Sequence, residues 1–265
     1  MSSTLGIIGT GNMGKALLTG LSPLENLTIY AYDLDSAKLN SLAQAGLCTP
    51  VDSPQKLAQK TDYIILAVKP YLIVPLIQEI LPVLNEQKRI ISIAAGVKLD
   101  TILTACKQRS ICIRIMPNTP ALIGKGVFAL CFDDKRIQEE DKQFIQKIFS
   151  QLGSIYILPE QYFDAFTALI GSGPAFVFLI LEAFIQAGIT LGFDQKTTKK
   201  MVLELFTGSI KLCETLSEQH LAQLKDMVTS PAGTTIAGLN QMEFNGLKKA
   251  IIQGILAAYQ RSQEL

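Results

Sequence analysis

A glycine-rich hexapeptide near the start of the chain has the residue types and spacing of a phosphate-binding turn. It reads Gly9-Thr-Gly-Asn-Met-Gly14, directly after an apolar run and directly before a helical pattern. The first glycine of such a turn permits a tight bend, the second lets a pyrophosphate approach the backbone, and the third lets the helix pack on the strand. The helix N-terminus then faces the phosphates. The motif predicts dinucleotide binding; the alternative is a glycine-rich turn in an α/β domain that binds nothing.

Asp33 ends the second apolar run, nineteen residues after Gly14. A carboxylate at this place can accept hydrogen bonds from the adenosine ribose hydroxyls and would repel a 2′-phosphate. The alternative role is a cap for the following helix. Because Asp35 or Ser36 could provide that cap, we expect Asp33 to be free for the cofactor.

Three later apolar runs end in small residues, prolines or a lysine. The segments that follow them are Ala67-Val-Lys-Pro70, Ile93-Ala-Ala-Gly96 and Met116-Pro-Asn-Thr-Pro120. Ligands of open α/β sheets lie at the carboxyl ends of the strands. We therefore expect these segments beside a cofactor, with room for a nicotinamide close to the backbone. Lys69 would place a cation there, although a solvated loop lysine is an equally good interpretation.

A second group of small and hydroxylated residues lies at 226–238. It reads Asp-Met-Val-Thr-Ser-Pro-Ala-Gly-Thr-Thr-Ile-Ala-Gly and joins two helical patterns. The free amides of a helix N-terminus, together with Ser and Thr hydroxyls, can hold a carboxylate without a charged side chain. Spacing alone predicts an ordinary capped turn between helices equally well.

The chain is poor in groups for acid–base chemistry. Its only histidine, His220, lies in a polar Ser-Glu-Gln-His stretch and is expected at the surface. Interconversion of an alcohol and a carbonyl usually needs a positioned acid or base. A protonated C=N group carries its own positive charge, so the protein must mainly orient it and exclude water. This difference favours an imine over a hydroxy acid as the substrate of a hydride transfer.

Alternating strands and helices must position the N-terminal groups. Apolar runs predict strands at 5–8, 27–32, 63–68, 89–93, 110–116, 127–132 and 154–158. Helical patterns between them lie at 13–20, 36–45, 55–60, 71–84, 99–106 and 138–152. This alternation predicts an α/β fold, a Rossmann-type doubly wound and mainly parallel sheet, at residues 1–159. Only helical patterns follow, so residues 160–265 are predicted to form an all-helical domain.

Composition excludes several classes of protein. With 48% hydrophobic and 18% charged residues and a net charge of +1, the chain is predicted to be globular and to bind neither nucleic acid nor a membrane surface. Its five cysteines include no C-x-x-C pair, which predicts reduced thiols, a cytoplasmic location and no metal site. Residues 173–192 approach the length of a membrane span, but Glu182 within them favours a helix at the centre of a helical domain or at a subunit interface.

Taken together, the motifs resemble those of the pyrroline-5-carboxylate reductases. The resemblance covers essentially the whole chain and includes 6–14, 66–70, 92–96, 114–120, 171–175 and, as the most specific part, 228–235. It implies reduction of 1-pyrroline-5-carboxylate to L-proline, the last step of proline synthesis, with NADPH or NADH. It also implies a Rossmann domain followed by a helical dimerisation domain, in homodimers that often assemble into decamers.

The resemblance assigns roles to individual residues. Those matching substrate-binding positions are Glu218, Val228, Ser230, Gly233, Thr234 and Thr235, with the Thr235 hydroxyl beside the imine nitrogen in a catalytic role. Those matching cofactor-binding positions are Ile8, Gly9, Thr10, Gly11, Asn12, Met13, Gly14, Asp33, Ala67, Val68, Lys69, Pro70, Ala94, Ala95 and Asn118.

Three positions depart from the family pattern. The family commonly has Asn or Ser, often followed by Arg, where this chain has Asp33-Leu34, and this favours use of NADH. The family often has Asn close to the position of Ser53-Pro54. This chain lacks that Asn, and with it one expected adenosine contact. Ala232 replaces a usual glycine, which this position tolerates if its backbone keeps a negative φ.

Two alternatives stay open at this point. A β-hydroxyacid dehydrogenase-like oxidoreductase shares the two-domain plan, but its helical-domain lysine has no counterpart at 171–192. A dinucleotide-binding sensor or assembly module would keep Gly9–Gly14 and would not need the segment 230–235.

Overall fold

The computed structural model describes residues 3–264 and contains a single eight-stranded sheet. The strands are β1 (Ser3–Ile8), β2 (Leu27–Tyr32), β3 (Thr49–Pro50), β4 (Tyr63–Leu66), β5 (Arg89–Ser92), β6 (Ile111–Met116), β7 (Gly126–Cys131) and β8 (Gly153–Ile157). Their order is β3-β2-β1-β4-β5-β6-β7-β8, and every neighbouring pair is parallel except β6 and β7. The predicted α/β, mainly parallel sheet is confirmed. The sequence did not predict β3, because two exposed residues give no periodic signal.

Helices connect the strands and then form the rest of the chain. The α-helices are α1 (Asn12–Leu21), α2 (Ser36–Gln44), α3 (Pro54–Lys60), α4 (Ile73–Ile80), α5 (Leu99–Ala105), α6 (Glu139–Ser150), α7 (Phe163–Phe166), α8 (Gly173–Thr190), α9 (Gln195–Thr215), α10 (Leu221–Met227), α11 (Thr234–Phe244) and α12 (Leu247–Gln263). A π-helix, Thr167–Gly171, precedes α8. Asp194 caps α9 by accepting a hydrogen bond from the Thr197 amide.

The core lies on both faces of the sheet, because parallel strands covered by helices bury alternate residues on each side. Leu5, Ile7 and Ile65 belong to one buried cluster, whereas Ile64 and Leu66 belong to the other. The parallel register of β1, β4, β5 and β6 brings their carboxyl ends to one edge of the sheet. The three segments predicted to face a cofactor follow β4, β5 and β6 at this edge.

Chain contacts divide the protein into two compact units, residues 1–174 with 258–265, and residues 175–257. The predicted domain boundary at 159/160 therefore lies before the point at which the contacts change. The intervening residues include α7 and the π-helix, and Phe163 and Phe166 of α7 are buried with sheet residues. The C-terminal end of α12 also belongs to the first unit, where the Ser262 hydroxyl donates to Asp164 at 3.3 Å.

Many large apolar side chains are exposed in the second unit. On α8, Phe178 is 63% exposed and Leu179 is 65% exposed, and Phe244 at the end of α11 is 88% exposed. One continuous helical stretch, Glu160–Thr190, is long and apolar enough to cross a membrane by length and composition. A protein surface of this kind needs a cover, which is either lipid or another protein.

Candidate functional site

At each of the three glycines of the predicted turn, a different steric feature of the surroundings accounts for the lack of a side chain. Gly9 has φ +98°, and a Cβ added to it would lie 2.5 Å from the Ala67 carbonyl oxygen. A Cβ on Gly14 would lie 2.0 Å from the Gly9 carbonyl oxygen, so α1 can approach β1 only because position 14 lacks a side chain. A Cβ on Gly11 would meet nothing within 4 Å. Gly11 therefore borders open space, as a residue close to a bound pyrophosphate must.

The N-terminus of α1 is available to an anion. Its N-cap residue is Gly11, which offers no side chain to the first-turn amides. Gly11 and Asn12 are exposed and Met13 is half-buried. Backbone amides at a helix N-terminus favour negative charge, so the turn and helix fit the phosphates of a dinucleotide without any basic side chain.

Asp33 is bound to the glycine-rich turn, contrary to the expectation that it would be free. Its Oδ2 accepts hydrogen bonds from the Thr10 amide at 2.5 Å and the Thr10 hydroxyl at 2.7 Å. Its Oδ1 accepts from the Asp35 amide at 2.9 Å. Thr10 is fully buried, so its two donors need an internal acceptor. Asp35, as anticipated, caps α2 through the Lys38 amide.

These contacts set the charge state of Asp33. Partial burial raises the pKa of the carboxyl, but the hydrogen bonds from Asp35 and Thr10 outweigh it and lower the pKa below its usual value. An ionised carboxylate offers about four acceptor positions, and three of them are occupied by these bonds. Asp33 can still accept one ribose hydroxyl, while its main contacts tie the end of β2 to the glycine-rich turn.

The segments after β4 and β5 lie at the same edge of the sheet. Ala67 and Val68 are half-buried, whereas Lys69 and Pro70 are exposed and open a short 3-10 helix. After β5, Ala94 is buried and Ala95 is half-buried, and both have small side chains. The exposed position of Lys69 is compatible with either of its two proposed roles, and its contact with the cofactor stays a prediction.

Asn118 uses its whole side-chain amide within the protein. Its Oδ1 accepts from the Val127 amide at 2.9 Å, and its Nδ2 donates to the Ile170 carbonyl at 3.2 Å. The side chain thus ties the turn after β6 to both β7 and the π-helix. Its predicted contact with the cofactor stays untested, and a supporting role for this turn is what the hydrogen bonds indicate.

The π-helix is a feature that the sequence analysis did not predict. A Cβ on Gly171 would lie 2.7 Å from the Met116 side chain, so this glycine allows the π-helix to pack against the end of β6. π-helices are rare and are frequent at functional sites. The signal available in the sequence was Gly171-Ser-Gly-Pro174, which shows flexibility but not the wider helical turn.

The second predicted group of residues forms the loop between α10 and α11. Its hydroxyl groups are in two different situations. The Thr229 hydroxyl donates to the Lys225 carbonyl at 2.7 Å and so serves the end of α10. Gly233 is the N-cap of α11 and supplies no side-chain cap, so Thr235 does not cap this helix. Thr235 is half-buried, while Ser230 and Thr234 are exposed. The loop therefore offers hydroxyls and helix amides together.

Two neighbouring positions of this loop, 232 and 233, both favour glycine, but only position 233 has one. A Cβ on Gly233 would lie 2.4 Å from the Ser230 hydroxyl, which explains glycine at this position. Ala232 has φ +57°, so the negative φ that would make alanine unstrained at this position is not present. A left-handed backbone costs a residue with a Cβ on the order of 1 kcal/mol relative to glycine. This chain therefore carries strain in the loop that a glycine would relieve.

His220 and Glu218 lie before α10. The His220 Nδ1 accepts from the Ala222 amide at 3.1 Å, and its backbone amide donates to the Gln223 side chain at 3.0 Å. The histidine is thus an exposed helix cap, in agreement with its predicted surface position. Glu218 is also exposed, and its role near the substrate stays a prediction.

Family models match both parts of the chain. One described as pyrroline-5-carboxylate reductase dimerisation matches residues 160–265. Another, described as NADP oxidoreductase coenzyme F420-dependent, matches residues 4–96, which include the glycine-rich turn and the segment after β4.

Proteins named pyrroline-5-carboxylate reductase are similar to this chain over its whole length. The protein from Synechocystis sp. is 36% identical over an alignment 268 positions long, which covers 100% of this chain and 99% of that protein. The protein from Pisum sativum is 32% identical over an alignment 267 positions long, which covers 100% of this chain and 96% of that protein. A crystal structure of Plasmodium falciparum pyrroline carboxylate reductase with NADP bound is 31% identical, with a TM-score of 0.90, and the match covers 99% of this chain and 97% of that chain. The chain therefore belongs to the pyrroline-5-carboxylate reductase family.

Proposed function

We propose that this protein reduces 1-pyrroline-5-carboxylate to L-proline with NADPH or NADH, the last step of proline biosynthesis. The observation that supports this most directly is the loop before α11. There, the hydroxyls of Ser230, Thr234 and Thr235 stand beside a helix N-terminus that has no side-chain cap. Such a group can bind a carboxylate and orient a ring without an acid or base. The lone His220 is used as a helix cap, so a reaction that needs no imidazole fits this chain best.

The cofactor is proposed to bind along the carboxyl edge of the sheet. The glycine-rich turn and the amides of α1 hold the pyrophosphate, and the remaining acceptor position of Asp33 takes a ribose hydroxyl. Ala67–Pro70, Ala94 and Ala95 give the nicotinamide end a close approach to the backbone. When bound, NADPH or NADH supplies the hydride. Because Asp33 opposes a 2′-phosphate, we propose that NADH is used at an appreciable rate.

The substrate is proposed to bind to the loop before α11. Ser230, Gly233 and Thr234, with the first amides of α11, hold the carboxylate, since helix N-termini favour anions. Val228 and Glu218 border the ring. The Thr235 hydroxyl hydrogen-bonds the imine nitrogen and fixes the orientation of the ring for hydride addition to C5. The imine nitrogen binds the proton itself, so the protein orients the ring and excludes water.

The activity is tested with purified protein by following the absorbance of NADPH and NADH with pyrroline-5-carboxylate as acceptor. We expect oxidation of both cofactors that depends on the imine. A parallel assay with small 3-hydroxy acids and NAD⁺ tests the dehydrogenase alternative. Turnover of a hydroxy acid without turnover of the imine would overturn the proposal.

Thr235 and Thr229 provide a matched pair for the proposed site. Thr235→Ala should lower kcat/KM for the imine by roughly ten- to a hundredfold, because one hydrogen bond and the orientation that it gives are lost. Thr235→Ser should keep much of the activity. Thr229→Ala removes a hydroxyl from the same loop, but one that already serves Lys225, so it should lower the melting temperature and leave kcat/KM nearly unchanged. Full activity in Thr235→Ala would refute the role of this hydroxyl.

The exposed apolar residues of 175–257 are proposed to form a homodimer interface, and the match of 160–265 to a dimerisation family supports this. A protein partner, rather than lipid, covers Phe178 and Leu179 in this proposal. We further propose assembly of dimers into decamers, a cytoplasmic location, and no nucleic-acid or membrane partner. Light scattering should give a molecular mass that is an even multiple of the 28.9 kDa chain mass. Phe178→Asp should lower the measured molecular mass. An active monomer would refute the dimer.

A further inference from the structure

Two cysteines that the proposed reaction does not use lie next to each other in the core. The Sγ atoms of Cys106 and Cys112 are 3.5 Å apart. Cys106 immediately follows α5, and Cys112 is the second residue of β6. A disulfide needs a separation of about 2.05 Å, so the sulfurs would have to approach by about 1.5 Å. A small shift in the last turn of the seven-residue helix α5 would supply this distance.

The segment between the two cysteines is short, exposed and strained. Lys107 and Gln108 both have left-handed backbones, with φ of +50° and +55°. Residues with a Cβ pay on the order of 1–3 kcal/mol each for such conformations. Residues 107–109 are exposed, while the two cysteines beneath are fully buried. Opening of this turn is therefore a local event that exposes Cys106 without unfolding the sheet.

Arg136 holds the turn closed and also fixes the second cysteine. Its guanidinium donates to the Gln108 carbonyl at 2.5 Å and the Ser110 carbonyl at 2.7 Å. It also binds Asp134 at 2.7 Å, and Asp134 accepts from the Cys112 amide at 3.0 Å. These bonds keep the turn at 107–110 in place over the two buried thiols. The hydrogen bond between the Cys106 and Cys112 thiols lowers the pKa of Cys106 and outweighs the opposing effect of burial.

We propose that Cys106 and Cys112 are a reversible thiol–disulfide pair, oxidised by hydrogen peroxide. The Cys106 thiolate attacks one peroxide oxygen, the O–O bond breaks, and water leaves after taking up a proton. This step leaves a sulfenic acid on Cys106. Cys112 then attacks the Cys106 sulfur, the S–S bond forms, the S–O bond breaks, and the oxygen leaves as a second water with the Cys112 proton. The two thiols lose two electrons, and one peroxide becomes two waters.

The positions of the lysines and arginines make this proposal easy to test. Trypsin cleaves after Lys98, Lys107, Arg109 and Arg114, so Cys106 and Cys112 fall on separate peptides, 99–107 and 110–114. Cys131, a third cysteine of the same buried cluster, falls on another peptide, 126–135. The native, full-length protein is treated with hydrogen peroxide, alkylated and digested, and the cross-linked peptides are identified by mass spectrometry.

We expect a linked pair of peptides 99–107 and 110–114, a loss of two of the five thiols, and complete recovery with dithiothreitol. Arg136→Gln should speed the linkage roughly tenfold, the value of one hydrogen bond from a charged donor. Cys48→Ser, at a distant cysteine, should leave its rate unchanged. The proposal is overturned if the folded protein keeps both thiols free, if Cys112 links to Cys131 instead, or if Cys106 is oxidised without forming the linkage.

Discussion

Replacing Asp33 with alanine should loosen the glycine-rich turn even before any cofactor binds. The carboxylate is the acceptor for the Thr10 amide and the Thr10 hydroxyl, and Thr10 is fully buried. A buried donor left without a partner costs about 1–3 kcal/mol. Two such donors, partly relieved by water that enters the space of the lost side chain, should lower the free energy of unfolding by roughly 2–4 kcal/mol.

The assay is urea unfolding of the cofactor-free protein at one fixed concentration, together with the Kd of NADH from fluorescence. We expect NADH to bind at least about tenfold more weakly, a loss of about 1.4 kcal/mol. This loss arises because the turn must be ordered again on binding and a ribose contact is missing. Thr10→Val tests the origin of the effect, since it removes one donor and keeps the carboxylate.

A double-mutant cycle separates the two roles of Asp33. If the carboxylate holds the turn, Asp33→Ala and Thr10→Val should be non-additive in unfolding free energy by about 1 kcal/mol. If Asp33 acts only as a ribose acceptor, the cofactor-free protein should keep its stability within about 0.5 kcal/mol. That second result would refute a structural role for the Asp33 carboxylate in the turn. Asp35→Ala, which removes only the cap of α2, gives the baseline for a neighbouring carboxylate.

Three further predictions address strain, pH and buried charge. Ala232→Gly should raise the free energy of unfolding by about 0.5–1 kcal/mol, because glycine adopts the left-handed φ without strain. The control Ala237→Gly within α11 should lower it by about 1 kcal/mol. Equal effects of the two changes in urea unfolding would contradict backbone strain at Ala232. Burial opposes ionisation of Asp134, but its bonds with Arg136 and Cys112 lower the pKa. Its stabilising effect is therefore present above the unfolded pKa of about 3.9 and is lost as pH falls through the folded pKa. Asp134→Asn should thus make the free energy of unfolding fall less steeply as the pH is lowered. An unchanged pH dependence would contradict this prediction. Asp141 is 4% exposed, pairs with Arg89 at 2.8 Å and accepts from the Tyr63 hydroxyl. Asp141→Asn should cost about 2–4 kcal/mol of stability with little change in kcat/KM, since β4 and β5 begin beside this ion pair and the proposed site lies at their other ends.

Local patterns predicted most of the fold. The apolar runs that became β1, β2 and β6 have clear lengths and boundaries, and the glycine spacing at 9–14 matches the steric contacts found there. The two-residue strand β3 was missed, because its pairing with β2 depends on the register of the sheet and not on its own residues. α11 continues to Phe244, because Gly238 and Asn240 weaken a helical pattern without breaking the helix.

The sequence was less informative about which groups contact each other. Asp33 was predicted to be free for the cofactor because its competitor Asp35 could cap α2. Asp35 does so, but the acceptor needed by the buried Thr10 could not be foreseen from spacing. The proximity of Cys106 and Cys112 was equally hidden, since six residues that span a helix end, a turn and a strand do not fix a distance between sulfurs. The φ of Ala232 is a similar case, since a loop backbone is set by the helices at both its ends.

In the proposed homodimer, the exposed apolar surface of residues 175–257 makes the stability of each chain depend on the protein concentration. Side chains such as Phe178, Leu179 and Phe244 lose contact with water only when another molecule covers them. The free energy of folding then includes the free energy of association, so the melting temperature should rise with protein concentration. Dilution therefore destabilises the dimer. Each tenfold decrease in protein concentration lowers the stability of the dimer relative to separate chains by about 1.4 kcal/mol. During synthesis in a cell, the first chains made are consequently the most vulnerable to proteolysis and aggregation, and later chains are protected by those already present.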